Sequence, residues 1–250
     1  MKGFALTCRM EFLLLFRNFF GFFFGLIFPL LMLLLFGSIY GNEPIAPGSS
    51  LRMMDLSIPG YTVMVMGVAG LMSFPLTLAE CKERKIYKRF DATPVGKRQI
   101  ILAQIAVNLL LTALGSFILL AAGGLLYQVR IQGGILPVFL AGMLSMAAMF
   151  SLGFLFTAVG KDAKLTYLLC YLFYFIMLFL SGATMPDLFF PESVGKLSRL
   201  LPMTYAVDLM QGAFAGDSLG MHGKELLILS LITAAASFAG ALLYRRKDWA

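Results

Sequence analysis

The chain has 250 residues, 60% of them apolar and only 13% charged, with a mean hydropathy of +0.86 and a net charge of +7. A water-soluble domain of this length cannot bury so much apolar surface, so the composition excludes that class. The positive charge is spread over several short segments rather than gathered on one face, which argues against nucleic acid and for attraction to anionic lipid head groups.

In chain order, an amino-terminal arm comes first. Phe4, Leu6, Met10, Phe12, Leu13 and Phe16 alternate there with Lys2, Arg9 and Arg17. This partly amphipathic pattern predicts a helix along the inner membrane interface, with a plain extension of the first span as the alternative. Six apolar blocks follow, at approximately 19–40, 58–79, 100–127, 135–159, 165–185 and 226–244. Each suits a hydrocarbon core that takes roughly 20 helical residues to cross. The blocks are continuously apolar and lack the in-out alternation of barrel strands, so they predict helices, which satisfy their own backbone amides in lipid. Pro29 and Pro75 fall inside the first two blocks and predict kinks rather than breaks. The first block is longer than a signal-peptide core and is followed by no small-residue cleavage pattern, so it is expected to remain as a span. The fold class expected is an all-α membrane protein, a single transmembrane domain over 1–250.

Orientation follows from the basic residues between blocks. Lys2, Arg9 and Arg17 precede the first block, and Lys82, Arg84, Lys85, Lys88, Arg89, Lys97 and Arg98 join the second to the third. Lys161 and Lys164 join the fourth to the fifth, and Arg245, Arg246 and Lys247 form the tail. The other side has only Arg52, Arg130, Lys196, Arg199 and Lys224, so fifteen against five places both termini in the cytoplasm of an inner or plasma membrane.

Within the blocks as bounded above there is no Asp, Glu, Lys, Arg or His, and the polar groups are Gln104, Asn108 and scattered Ser, Thr and Tyr. Ion-coupled carriers keep ionisable groups at this depth, where a charge is costly and therefore functional. Uphill transport by this chain would need energy from outside the membrane. The chain has no Gly-x-x-x-x-Gly-Lys-Ser/Thr cradle for phosphates, no clustered metal ligands and no catalytic constellation. His222, the single histidine, is expected to be a solvated loop residue, and Cys8, Cys81 and Cys170 suggest no disulfide framework. Met64, Met66 and Met72 in the second block, with Tyr171, Tyr174 and Phe175 in the fifth, offer flexible and aromatic surfaces for an apolar or amphipathic substrate, against the plainer reading of packing. Ala235 with Ala239 and Ala236 with Gly240 are spaced for close helix approach in the last block.

The loop between the second and third blocks interleaves charge with apolar residues. Ile86 and Phe90 are four apart, as are Glu83 and Tyr87, so a short helix there would carry an aromatic stripe among basic groups until Thr93-Pro94 ends it. Residue physics leaves two readings even, a helix lying on lipid and a helix that docks a partner.

Three stretches carry a family resemblance: ERKIYKRFDATPVGKRQIILAQ at 83–104, LSGATMP at 180–186 and LPMTYAVDLMQGAF at 201–214. In order and spacing they resemble the membrane subunits of type-2 ATP-binding-cassette exporters, across essentially the whole chain. The resemblance implies a permease that pairs with an identical or paralogous copy and docks a separate ATPase dimer. ATP and Mg would be bound by that partner and no cofactor by this chain. It implies a coupling helix from about Glu83 to Phe90, with Arg84, Lys85, Lys88 and Arg89 meeting acidic groups, Tyr87 and Phe90 filling a groove, and Thr93 and Pro94 closing it. It also implies short re-entrant helices before the last span that gate the extracellular exit, involving Ser181, Gly182, Pro186, Pro202, Tyr205 and Asp208. Tyr205 and Asp208 are three apart and can share a face. Two positions depart from the family pattern: Lys85 stands where Gly is frequent, and Gln211 where Arg is frequent. A passive channel or secondary carrier, and a membrane scaffold or immunity-type protein, are the competing readings.

Overall fold

A computed structural model describes residues 19–41, 44, 52–86, 97–129, 131–185 and 190–247. Among the described residues, six helices are long and apolar enough to cross a membrane. The spans are α1 (Phe19–Tyr40), α2 (Met53–Glu83), α3 (Lys97–Tyr127), α4 (Ile135–Val159) and α5 (Ala163–Leu180), closed by α8 (Gly223–Lys247). Between α5 and α8 lie two shorter helices, α6 (Glu192–Ser198) and α7 (Pro202–Ala215), and a 3-10 turn at Leu219–His222. The amino-terminal arm expected at the interface lies outside the described residues.

The second span is longer than its apolar block. It has 31 residues, about 46 Å of helix, against a hydrocarbon core of roughly 30 Å. Its ends therefore project beyond the apolar layer and carry Asp55 at one end and Glu80, Lys82 and Glu83 at the other. At the first end, the Arg52 N–H donates to Asp55 Oδ2 at 3.1 Å, which occupies one of the free amides a helix start leaves. The fifth span is shorter than its block: α5 stops at Leu180, and Ser181–Met185 forms an irregular buried segment.

Pro29 and Pro75 follow π-helical turns, whereas Pro59, also inside α2, lies in its first α-helical stretch. Pro29 comes just after Phe23–Ile27, where the Phe28 N–H reaches back to the Phe23 carbonyl. Pro75 comes just after Val68–Ser73, where the Phe74 N–H reaches the Ala69 carbonyl. Proline lacks a donor and crowds the carbonyl four residues back, and a wider i to i−5 turn there makes room for its ring. The helices continue through both sites.

α2 is the centre of the bundle. Within its apolar window 94% is buried, against 17% for α1 and 17% for the last span, and it packs on α1, α3, α4, α5 and α7. Its contact with α4 is backbone to backbone. A Cβ on Gly153 would lie 2.0 Å from the Gly70 carbonyl oxygen, so only glycine permits the approach. Thr157, one turn along α4, shares its hydroxyl between the Gly153 and Pro75 carbonyls at 3.0 and 3.3 Å. α8 runs along α4, where Gly240 meets the Phe154 ring. Phe20 and Phe24 of α1 pack against Tyr171 and Phe175 of α5, with ring centroids 6.0 and 5.1 Å apart.

Candidate functional site

The charged loop leaves α2 at a fastened end. Glu83 is the last residue of that helix, and its Oε2 accepts the Ala163 N–H at 2.8 Å. Ala163 is the first residue of α5, so a carboxylate ending one helix neutralises a free amide, and the positive dipole, at the start of another. The α5 start has its own cap as well, Asp162 Oδ1 accepting from the Leu165 N–H at 2.7 Å. One turn back along α2, Glu80 accepts a hydrogen bond from the Tyr167 hydroxyl. Lys82 points to another neighbour, its Nζ 4.9 Å from the centre of the Tyr244 ring on α8. The last turn of α2 is thus tied to both α5 and α8.

Beyond Glu83 the chain turns. Arg84 caps the helix, and Lys85 takes a left-handed backbone with φ of 53°. Of the residues expected to couple to an ATPase, the structure places Glu83, Arg84 and Lys85, with Arg84 and Lys85 exposed. Glu83 lies inside α2 rather than opening a separate surface helix. Tyr87, Lys88, Arg89, Phe90, Thr93 and Pro94 lie outside the described residues, as does Pro186.

At the opposite end, Gly182 turns the chain out of α5 with φ of 81°, a conformation that side chains resist. Ser181 is buried beside it, and the segment packs on α2, where a Cβ on Gly60 would lie 2.9 Å from the Ala183 carbonyl oxygen. Thr184 donates to the Leu178 carbonyl at 2.7 Å and closes the turn. Pro202 begins α7, whose residues are mostly buried against α2, α4 and α8. Tyr205 donates from its hydroxyl to the Arg199 carbonyl at 2.6 Å, and Lys224 lies over its ring at 5.8 Å. Asp208 is half-buried. Gln211 donates from Nε2 to the Leu56 carbonyl at 3.0 Å and so joins α7 to the Met53 end of α2. His222 is not a solvated side chain: its ring is only 19% exposed and lies 3.3 Å from Asp217 and 3.8 Å from Glu225.

The six residues considered for a pathway lining sit within the bundle. Met64, Met66, Met72 and Tyr174 are buried in its core, and Tyr171 and Phe175 are half-buried against α1. None of them lines a groove that opens between α1, α2 and α3 among the described residues. Gly21, Phe22, Gly25 and Leu26 form one wall; Val65, Val68, Ala69 and Ser73 form the second. The third wall runs from Asn108 through Thr112 and Gly115 to Ile118. Asn108 and Thr112 lie four apart on one helix face, a spacing in the sequence that could have pointed to this wall. Its partner walls have no such signal, because apolar residues and glycine read alike whether they face a groove, a neighbour or lipid.

Residues 3–215 match a family model described as ABC-2 type transporter. No curated protein matches the chain.

Proposed function

The chain belongs to the ABC-2 type transporter family, and from that membership we propose that this multi-pass membrane permease is the non-catalytic half-pathway of an ATP-driven exporter. It pairs with a second copy or a paralogue, and a separate ATPase dimer binds ATP and Mg and performs the hydrolysis. Both termini and the 84–96 loop face the cytoplasm, in keeping with the fifteen-to-five distribution of Lys and Arg.

The observation that carries this reading is the fastened end of α2. A loop that docks on a motor can drive a membrane domain only if its displacement reaches several helices at once, because a conformational change needs contacts that differ between two states. Here the loop emerges from the most buried span, and Glu83, Glu80 and Lys82 link that emergence to α5 and α8. Ser181 and Gly182 follow the opposite end of α5, and Pro202, Tyr205 and Asp208 lie on α7 packed beside it, where they serve as an exit gate.

The test is reconstitution with the ATPase subunit that copurifies with the chain. Tyr87→Asp or Phe90→Asp is expected to abolish stimulation of ATP hydrolysis by the permease while membrane insertion stays normal. Unchanged stimulation would remove the docking assignment. Uphill transport by the chain alone, driven by a sodium or proton gradient, would remove the whole reading.

A further inference from the structure

The groove between α1, α2 and α3 is ordered along its length. Ser73 and Asn108 lie toward the end where Glu83 leaves α2 and Ile100 starts the apolar part of α3, about three and two helical turns away respectively. Val65, Gly115 and Ile118 lie toward the middle of α2 and α3. One end can therefore form hydrogen bonds, and the other is purely apolar. The Asn108 amide donates to the Gln104 carbonyl and the Thr112 hydroxyl to the Asn108 carbonyl, each at 2.8 Å. The Asn108 carboxamide oxygen and the Ser73 hydroxyl keep their capacity for a further partner.

Two π-helical turns meet at this space, Phe23–Ile27 from α1 and Val68–Ser73 from α2. Such turns displace a helix face and concentrate at functional sites. Glycine keeps the floor tight: a Cβ on Gly25 would lie 3.3 Å from Val68, and one on Gly115 would lie 3.1 Å from Val65. The groove opens sideways, because Leu114 lines it and is 49% exposed on the outside of the bundle. Among the described residues no Asp, Glu, Lys, Arg or His lines it, so a charged group seated here would meet no counter-charge from them at a depth where one is needed.

We propose that this groove binds a neutral, alkyl-chain amphiphile drawn sideways from the inner leaflet, its hydroxyl, ester or amide group meeting Ser73 and Asn108 and its chain running toward Ile118. The polarity gradient matches the orientation of an inner-leaflet amphiphile, with its polar group toward the cytoplasm and its tail toward the midplane. Reading the occupant as the transported substrate rests on the export function proposed above; the binding itself does not.

The experiment uses the full chain in lipid nanodiscs, with the single tryptophan removed as Trp249→Phe and a reporter placed at the groove mouth as Leu114→Trp. The probe is a monoacylglycerol whose chain carries bromine, which quenches nearby tryptophan. Quenching is expected to saturate at low probe content and to be reversed by unbrominated monoacylglycerol. A reporter on the lipid face of α5, Leu168→Trp, 61% exposed before substitution, is expected to be quenched in simple proportion to probe content. Asn108→Leu is expected to weaken the saturable phase about five- to tenfold, the worth of a neutral hydrogen bond or two, and Ser73→Ala provides a milder second variant. Proportional quenching at both reporters would overturn the site, and so would saturable quenching that neither Asn108→Leu nor Ser73→Ala changes. Because no ATPase is present, failure of the coupling reading leaves this result standing. Loss of the saturable phase with intact ATPase stimulation would sink the groove alone.

Discussion

Lys85 takes a backbone that lysine resists, in a loop where glycine is frequent among the proteins this segment resembles. A left-handed φ costs a side-chain-bearing residue roughly 1 kcal/mol relative to glycine. Lys85→Gly should therefore raise the apparent melting temperature of the purified chain, measured by heating followed by size exclusion, whereas Lys85→Ala should not. Gln211 shows the other kind of departure. Its amide bonds the Leu56 carbonyl of α2, so the residue has a neutral structural partner where an arginine would bring a charge. His222 shows how position along the chain can mislead. It lies in a loop, yet the turn at Leu219–His222 folds its ring between Asp217 and Glu225.

Helices set the next level of constraint. α2 and α4 touch through Gly70 and Gly153, and a methyl group at either position would meet backbone rather than a movable side chain. Gly153→Ala is expected to cost about 3 kcal/mol and to show as loss of monodisperse protein on extraction, while Ala239→Gly in α8 should be tolerated. The contacts at the end of α2 give a second test at this scale. Glu83→Gln keeps an acceptor for the Ala163 N–H but loses the charge, and Tyr167→Phe deletes the hydroxyl bonded to Glu80. The double variant should still copurify with the ATPase subunit yet lose most stimulation of hydrolysis, because docking would no longer move α5 with α2. Full stimulation would show that α2 acts without this link.

At the scale of the whole molecule, the buried helix α2 packs against the partly lipid-facing spans α1, α3, α4 and α5 and the mostly buried short helix α7. A single charged loop on the central helix is then in position to address the entire bundle. The orientation is tested by labelling with a membrane-impermeant thiol reagent in a Cys8→Ser background, where Cys81 and Cys170 are buried. Glu192→Cys, on α6, is expected to react from outside intact cells, and Lys161→Cys only after permeabilisation. The opposite pattern would invert the assigned orientation.

The number and approximate bounds of the spans were readable from the sequence, because a hydrocarbon core imposes a minimum apolar length whatever the neighbours are. Pro29 and Pro75 were readable as places where a missing donor must be accommodated, but the π-helical turns beside them and the third internal proline, Pro59, were not. Which span sits at the centre was not. The membrane-depth stretches of α1 and α2 are both apolar, and only packing distinguishes a helix buried by five neighbours from one facing lipid. For the same reason Met64, Met66, Met72 and Tyr174, which suggested a pathway, lie in the core, while the groove is lined by glycines and apolar residues with Ser73, Asn108 and Thr112. Local chain chemistry determined how each segment meets the membrane; the contacts among Glu83, Tyr167, Gly153 and Asn108 depend on residues far apart in sequence, and only the assembled bundle decided them.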